Sequence, residues 1–195
     1  MLQINLYMKK LGILLLMTAG LAFGQTKKVV SSDIQWWGYK VMKSESSSHY
    51  GKIALKGGNI VLKNNQVAGG TFVLDMNSIN ATDVSGEDQQ KLNGHLKNGD
   101  FFEVEKFPTG TFVITSVKKN NDKTYNYIVN GNLTLKGKTG AISFPAKINN
   151  ANGQVSIESN KFSFDRQKFG VNYKAGMKDV VIKDDIDMLV KVTAK

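Results

Sequence analysis

The sequence predicts an all-β protein, an antiparallel sheet closed into a barrel or folded into a sandwich, with one short helix between strands. Three observations predict this class. Apolar and polar residues alternate along most of the chain, as they do in strands that bury one face. Loops rich in Asn, Lys and Gly separate the alternating stretches. The alternation stops from Gly94 to Pro108, where aromatic, acidic and basic residues occur together, as expected of a segment that plugs, covers or orients an enclosure.

Size and composition fit one globular domain with a substantial core. The chain has 195 residues, of which 41% are hydrophobic and 22% charged, which are ordinary proportions for such a domain. It has no cysteine, so a disulfide framework and a lipidated N-terminal cysteine are both excluded. The stability of the fold must therefore come from its core.

The N-terminus reads as a targeting segment. Lys9 and Lys10 precede an apolar run from Leu11 to Phe23. This run of about 13 residues is shorter than the roughly 20 residues that span a bilayer, which favours a cleaved signal peptide over a membrane anchor or a buried helix.

Small residues at the end of the run place the cleavage site near Gly24 and Gln25. The predicted division is a signal peptide over residues 1–24 and one barrel domain over residues 25–195, with a periplasmic or secreted location. Because the two lysines directly follow Met8, that methionine is a second candidate for the start of translation.

The mature part is basic. Loss of Lys9 and Lys10 with the leader lowers the formal net charge from +10 to +8. This charge is compatible with contact with an anionic membrane surface and equally with a merely soluble, cationic exterior. Nucleic acid is not a predicted partner, because the leader implies export and the lysines are scattered along strands. Homodimerisation is left open.

The first long alternating stretch, Val29 to Val41, is predicted as a strand. Ile34 and Trp36 share one face, whereas Trp37 and Tyr39 share the other. Both faces carry aromatic residues, so one tryptophan is expected to face a core or cavity and the other a rim.

The next part of the chain is predicted as further strands and turns. In order, these are a polar loop at Ser44–Ser48, a strand at His49–Leu55, a turn at Lys56–Gly58, a strand at Asn59–Leu62, a turn at Lys63–Gln66 and a strand at Val67–Ile79.

A helix is predicted from Gly86 to Lys97. Ser85 followed by Asp88 resembles a helix start, and Leu92 and Leu96 lie four residues apart on one helical face. The alternating pattern then returns, and the remaining predicted strands are Thr109–Lys118, Lys123–Leu135, Ala141–Asn149, Gln154–Asp165 and Asp185–Thr193.

Many positions of one parity in these strands carry large apolar side chains. A barrel of about eight strands is just wide enough to be filled by such side chains or to hold one small ligand. Periodicity alone does not decide between a packed interior and one that holds a ligand.

Ten short fragments, spread over nearly all of the mature sequence, resemble the motifs of a known protein family. They occur in the order Ser32-x-Ile34-x-Trp36-x-Gly38, His49-x-Gly51-x-Ile53, Gly69-Gly70-x-Phe72, Asp75-Met76-x-Ser78-Ile79, Leu92-x-x-His95-Leu96, Asp100-Phe101-Phe102, Phe107-Pro108, Phe112, Gly131-x-Leu133-Thr134 and Asp165-Arg166-x-x-Phe169-Gly170. In these fragments the chain resembles the YceI-like family of exported, lipocalin-like barrels that bind polyisoprenoids.

The resemblance implies a lipocalin-like antiparallel barrel of about eight strands with a long apolar pore that holds a lipid chain. The expected function is that of an exported lipid-binding protein for an isoprenoid or similar long-chain amphiphile, as a carrier, storage or envelope stress protein. Each buried methylene would contribute roughly 0.8 kcal/mol, less the ordering cost. The alternative is a non-catalytic envelope interaction protein with a packed barrel and no ligand.

Three groups of side chains are candidates for the site. The pore-lining candidates are Trp36, Phe72, Leu74, Met76, Phe112, Ile114, Leu133, Leu135, Phe144, Phe162 and Phe164. The headgroup or mouth candidates are Lys40, His49, His95 and Arg166, and the gate or plug candidates are Leu96, Phe101, Phe102 and Phe107. Ordinary core packing is the alternative role for each lining residue, and a plug that never moves is the alternative to a gate.

Arg166 is the strongest headgroup candidate, because its planar guanidinium suits phosphate or carboxylate. A structural ion pair is its alternative role, with Asp165, Asp75 or Asp100 as partner.

Neither a metal, a cofactor nor a catalytic role is predicted. His49 and His95 lie in different segments without the spacing of metal ligands, and His95 is expected to hydrogen-bond the helix to the barrel. The sequence has no Gly-x-Ser-x-Gly element, and the acidic residues Asp100, Glu103 and Glu105 read as solvated or capping groups of a loop.

Overall fold

The computed structural model describes residues 24–43, 45–176 and 179–195. The leader predicted at residues 1–24 lies outside the described residues except for Gly24. Nearly all regular structure in the described part is antiparallel strand, and the sheet closes on itself, which confirms the predicted barrel with one short helix. In these three ranges, no helix combines the length and the apolar character needed to cross a bilayer.

The elements follow one another in a simple order. They are β1 Gln25–Met42, β2 Glu45–Lys63, β3 Gln66–Ala81, α1 Gly86–Lys97, β4 Thr109–Lys119, β5 Tyr127–Leu135, β6 Lys138–Ala151, β7 Gln154–Ser159, β8 Phe162–Asp165, a 3-10 helix at Arg166–Phe169, β9 Val180–Ile182 and β10 Asp185–Ala194.

Each strand pairs with its neighbour in sequence up to β7, and β10 pairs with both β7 and β1 to close the ring. Strand β10 contacts β7 through its second half and β8 through its first half. Strand β1 likewise pairs with β10 and then, near its end, with β9. Because β7 with β8 and β9 with β10 each fill one position, the barrel has eight positions.

The two ends of the barrel differ. At one end, the mouth end, lie helix α1, the β5–β6 turn and the segment from the 3-10 helix to β9. The other end, the closed end, carries the β2–β3, β4–β5 and β6–β7 connections and the first and last described residues. There the Asn150 Nδ2 donates to Asn65 Oδ1 at 2.8 Å, and Lys27 Nζ donates to the Gly153 carbonyl at 3.1 Å. Hairpins from opposite sides of the barrel thus meet across this end.

Strand β2 departs from the sequence-based prediction in two places. The stretch Lys56–Gly58 is not a turn, because β2 continues through it with a register shift between Leu55 and Gly57 against β3. Of the polar stretch predicted as a loop at Ser44–Ser48, Ser44 lies outside the described residues, and Glu45–Ser48 is not a loop because it forms the start of β2 and pairs with β1. Glycines and serines suggested turns, but here they form a bulge and an exposed strand end.

The second half of the chain also shows differences. Strand β5 begins at Tyr127 instead of Lys123, because the Asp122 carboxylate accepts the backbone N–H groups of Thr124 and Tyr125 and holds a turn. The predicted strand Gln154–Asp165 is divided between β7 and β8. The three-residue strand β9 was not predicted, as it is too short to show alternation.

Helix α1 lies at the predicted residues, Gly86–Lys97. Two polar side chains fix it to the end of β3. Asn93 accepts the Ala81 N–H at 2.8 Å and donates to Asn80 at 2.7 Å, while Gln89 donates to the Ala81 carbonyl at 2.7 Å. These contacts bring Leu96 onto the mouth end, where it is buried.

A polar cluster on the outer wall ties β1 to β8 and β10. The Tyr39 hydroxyl donates to Asp187 at 2.6 Å, Ser163 donates to the other carboxylate oxygen, and Lys161 Nζ lies 3.2 Å from Asp187. The same ammonium lies 4.1 Å from the ring centroid of Trp37. Burial alone would raise the pKa of Asp187, but the hydrogen bonds from Ser163, Tyr39 and Lys161 outweigh it and hold the pKa below its ordinary value of 3.8.

Replacing Asp187 with Asn should destabilise the protein by about 1–3 kcal/mol at neutral pH, because three donors lose a charged acceptor. Since the folded-state pKa is lowered, this contribution is fully present above the unfolded-state value of about 3.9 and is lost as pH falls through the lower folded value. Denaturant unfolding of the unmodified protein and of Asp187→Asn, at neutral pH and at about pH 2–3, should show that their difference in unfolding free energy becomes smaller in acid.

Asp185→Asn is the matched control, because Asp185 is exposed on the same strand, and its effect should stay within about 0.5 kcal/mol. If the difference in unfolding free energy between Asp187→Asn and the unmodified protein were equally large in acid, the change of shape and not the loss of charge would be its cause.

A second prediction concerns the closest approach of β2 and β3. A Cβ atom on Gly51 would lie 1.9 Å from the carbonyl oxygen of Asn80, whereas one on Gly57 would meet nothing within 4 Å. Gly51→Ala should therefore cost about 2 kcal/mol or more, and Gly57→Ala should be neutral or stabilise by up to about 1 kcal/mol. Chemical denaturation compares the two variants, and equal effects would contradict the backbone contact.

Candidate functional site

The barrel interior contains two adjoining cavities. The upper cavity, at the mouth end, has a volume of about 270 Å³, and the deep cavity below it has about 80 Å³. Both are bordered by the same four side chains, which form the junction between them: Leu74, Leu133, Phe164 and Met188. The interior is thus an apolar space that leads from the mouth end into the barrel.

Every pore-lining candidate from the sequence borders one of these cavities. The deep cavity is lined by Phe72, Phe112, Ile114, Phe144 and Phe162, the upper cavity by Trp36, Met76 and Leu135, and both by Leu74, Leu133 and Phe164. Strand alternation explains this result, because side chains two residues apart point to the same face. Contact of these residues with a ligand remains a prediction.

Four phenylalanine rings form a continuous row along the deep cavity. Phe72 and Phe112 have ring centroids 6.3 Å apart, Phe112 and Phe144 5.8 Å, and Phe144 and Phe162 4.4 Å with planes only 14° apart. The rings come from four different strands, so their contact could not be read from spacing along the chain. They give the deep cavity a wholly apolar wall.

The four mouth candidates lie together. Lys40, His49, His95 and Arg166 all line the upper cavity, although they come from four separate elements or connections. This placement agrees with their prediction as residues of the mouth, and contact of the four side chains with a headgroup remains a prediction.

Arg166 is buried, with a relative exposure of 3%, and most of its donors are occupied. Its Nε donates to the Lys183 carbonyl at 3.0 Å, and its Nη2 donates to the Ile182 carbonyl at 3.4 Å and to Asp184 Oδ1 at 3.0 Å. The Nη1 atom donates to the Val171 carbonyl. Arg166 therefore holds the irregular backbone of the mouth end in place. These bonds use four of the five guanidinium N–H groups, and contact of the fifth with a headgroup remains a prediction.

The ion-pair partners suggested for Arg166 by the sequence are wrong. Its partner is Asp184, which follows β9. Asp165 instead accepts the N–H of Gln167 and caps the 3-10 helix, while Asp100 pairs with His95. Sequence proximity favoured Asp165, but its carboxylate is engaged by the next turn of the backbone.

His49 is held by a half-buried carboxylate. Its Nδ1 lies 2.7 Å from Asp83 Oδ2, and Asp83 Oδ1 accepts the Tyr50 N–H at 3.1 Å. Burial raises the pKa of Asp83, but the hydrogen bonds from His49 and the Tyr50 backbone outweigh burial and leave the pKa below 3.8. The charged carboxylate fixes the imidazole at the rim of the upper cavity.

His95 does not hydrogen-bond the helix to the barrel as the sequence suggested. Its Nδ1 lies 2.7 Å from Asp100 in the loop that follows the helix, and Asn93 and Gln89 make the contacts to β3. The His95 ring centroid lies 6.2 Å from that of Tyr173. Tyr173 also lines the upper cavity, but it belongs to a stretch without alternation, so no sequence signal pointed to it.

Three of the four gate candidates, Leu96, Phe101 and Phe102, line the upper cavity. Phe107 borders neither cavity and lies beside the β5–β6 turn, where a Cβ on Gly137 would come within 3.3 Å of its ring. The segment folds back on the end of α1, since Phe102 and Val104 donate to the carbonyls of Leu96 and Lys97. Phe101 also packs on Tyr173, with ring centroids 5.1 Å apart.

The arrangement suits enclosure of an apolar molecule with a polar group at one end. The deep cavity has an apolar lining, and polar side chains border only the upper cavity. Among the described residues, no three His, Cys, Asp or Glu side chains lie close enough together to hold a metal ion.

Comparisons with known proteins identify the family and the fold. The model of the YceI-like domain matches residues 26–194. Protein YceI of Escherichia coli O17:K52:H18 is 30% identical over 126 residues, which cover 60% of this chain and 61% of that protein. A UPF0312 protein of Pseudomonas aeruginosa is 41% identical over 69 residues, which cover 35% of this chain and 33% of that protein. The alignments thus span less than two thirds of either relative.

Two solved structures share the fold. BcnA of Burkholderia cenocepacia superposes with a TM-score of 0.60 at 16% identity, covering 84% of this chain and 96% of that chain. A polyisoprenoid binding domain from Saccharophagus degradans, implicated in plant cell wall breakdown, superposes with a TM-score of 0.58 at 12% identity, covering 87% and 97%. With its domain model matched from residue 26 to residue 194, this chain belongs to the YceI-like family.

Proposed function

We propose that this protein binds one long-chain lipid, of the isoprenoid class or similar, inside the barrel. The observation that carries the proposal is the pair of adjoining cavities, apolar at depth and polar only at the mouth end. The lipid chain would pass the junction into the deep cavity, and its headgroup would stay in the upper cavity. The protein acts by sequestering its ligand, without catalysis.

Burial of the chain would supply the affinity. Each methylene moved from water into the apolar interior contributes roughly 0.8 kcal/mol, so several methylenes offset the cost of ordering the ligand. The row of phenylalanine rings needs no polar partner, which makes the deep cavity tolerant of any slender hydrocarbon chain.

The headgroup would be held among donors. Lys40 and His49 border the upper cavity on adjacent strands, and His95 borders it from the helix. Arg166 is mostly occupied by backbone carbonyls and keeps the rim in place. This set of donors favours a headgroup with oxygen acceptors.

Family membership supports the ligand class. The Saccharophagus degradans structure that shares this fold is a polyisoprenoid binding domain. The leader predicted at residues 1–24 places the function outside the cytoplasm, in the periplasm or in secreted form, as a carrier, a storage protein or an envelope stress protein. Homodimerisation and contact with an anionic membrane surface are further parts of the proposal that rest on the sequence.

Native mass spectrometry of the purified protein, before and after addition of a long-chain isoprenol, tests the proposal. Leu74→Trp should lower the affinity at least about tenfold, because a larger ring at the junction excludes two or more methylenes at roughly 0.8 kcal/mol each. Val113→Trp is the matched control, since Val113 lies on the outside of β4 with 40% exposure, and it should bind like the unmodified protein.

If the protein retains neither a co-purified lipid nor added isoprenol, the proposed lipid binding is wrong. The alternative function, an envelope interaction protein that binds partners only through its exterior, would then replace it. Equal affinity of the two tryptophan variants would place the lipid elsewhere than in the junction.

The gate hypothesis makes a separate prediction. If the segment from Gly94 to Phe107 opens to admit lipid, bound ligand should slow its amide hydrogen exchange, because Leu96, Phe101 and Phe102 would then pack against the guest. The β4–β5 connection at the closed end serves as the internal control and should not change. Unchanged exchange from Gly94 to Phe107 in the lipid-bound protein would identify the segment as a fixed plug.

A further inference from the structure

The closed end of the barrel carries an unbalanced positive charge. Seven lysines lie in the strand ends and connections there, and we name them the basic platform: Lys27, Lys28, Lys63, Lys118, Lys119, Lys123 and Lys195. Six of them are exposed, and Lys27 is half-buried. Among the described strand ends and connections at this end, the acidic side chain is that of Asp122.

The platform lysines are not neutralised within the described part of the chain, where none of them forms an ion pair. The only hydrogen bond found there for a platform ammonium group is that of Lys27 to the Gly153 carbonyl. Asp122 is engaged by the N–H groups of Thr124 and Tyr125. The nearest other acid, Glu158, lies higher in β7 and pairs with Lys191 at 3.8 Å. Like charges on adjacent connections repel one another, so no intramolecular contact accounts for their grouping.

The mouth end is different. Helix α1 and the loop that leads to β4 carry five acids and three lysines: Glu87, Asp88, Asp100, Glu103 and Glu105, with Lys91, Lys97 and Lys106. Two of these lysines face carboxylates at 3.7 Å. The net positive charge of the chain is therefore concentrated at the end of the barrel opposite the cavity mouth.

The shape of the platform favours a broad anionic surface. Its lysines come from β1, β2, β4, the β4–β5 connection and the residue after β10, so they extend over several neighbouring positions of the ring and not along one strand. Single-stranded nucleic acid would require aromatic rings on which bases stack, and the aromatic residues nearest the platform, Tyr125 and Tyr127, are half-buried.

From the charge of the platform and its position around the closed end, we infer that the protein docks on an anionic lipid bilayer through this end, with the cavity mouth turned away from that bilayer. Lysines close to such a surface each add to the attraction, which falls off within a Debye length. The inference stands whether or not a lipid fills the barrel.

Co-sedimentation with vesicles tests the docking. The purified protein should bind vesicles of equal parts phosphatidylglycerol and phosphatidylcholine, release on addition of salt, and ignore vesicles of phosphatidylcholine alone. The combined substitution Lys63→Gln, Lys118→Gln, Lys119→Gln and Lys123→Gln should weaken binding at least about tenfold.

The matched control is Lys43→Gln, Lys91→Gln, Lys168→Gln and Lys174→Gln, which removes the same charge from exposed lysines at the mouth end. It should retain binding, and thermal unfolding checks that both variants fold. Equal losses in the two variants would show that only net charge matters and would overturn the inference. Tighter binding to duplex DNA than to vesicles at equal phosphate concentration would overturn the choice of partner.

Because the chain has no cysteine, a single labelling site can report the orientation. A polarity-sensitive dye on Asn121→Cys should respond to phosphatidylglycerol vesicles, whereas the same dye on Lys136→Cys, in the β5–β6 turn, should not. The reverse result would place the mouth against the bilayer.

Discussion

Pairing between β1 and β10 is the constraint on which the rest of the structure depends. It joins the first and last long strands through Val29–Ala194 and the pairs up to Trp37–Asp187. Without it the sheet would have two open edges, and the apolar faces that now surround the cavities would meet water. The Tyr39, Lys161 and Asp187 cluster strengthens the seam from outside, so the polar exterior and the apolar interior stabilise the same closure.

Closure of the barrel also separates two ends that differ in structure. At the closed end, short hairpins meet through Asn65 and Asn150 and leave lysines on the surface. At the mouth end, the chain departs from strand geometry for a helix, a folded loop and the segment held by Arg166. The regular part gives the barrel its width, whereas the irregular part borders the upper cavity.

The sequence predicted the parts of this design that depend on local periodicity. Alternation located the inward side chains, and Leu92 and Leu96 located the helix with its correct bounds. It failed where tertiary contacts override local preference, as at the Gly57–Gly58 bulge, or where a side chain selects its partner through space. Arg166 pairs with Asp184 and not with adjacent Asp165 because the fold brings the connection after β9 over the guanidinium. The place of Tyr173 in the lining of the upper cavity also depends on tertiary contacts, because the residue lies in a stretch without alternation.

The Arg166 clamp has a consequence for how such barrels can diversify. A single guanidinium binds the carbonyl of Val171, two residues after the 3-10 helix, and that of Ile182, the last residue of β9. The connection between the 3-10 helix and β9 is thereby anchored near its start and at the strand that follows it. Insertions, deletions or exchanges between Val171 and the start of β9 can reshape the rim while both anchors hold. A lineage could thus acquire a new guest by altering one short stretch of its gene while inheriting the scaffold unchanged.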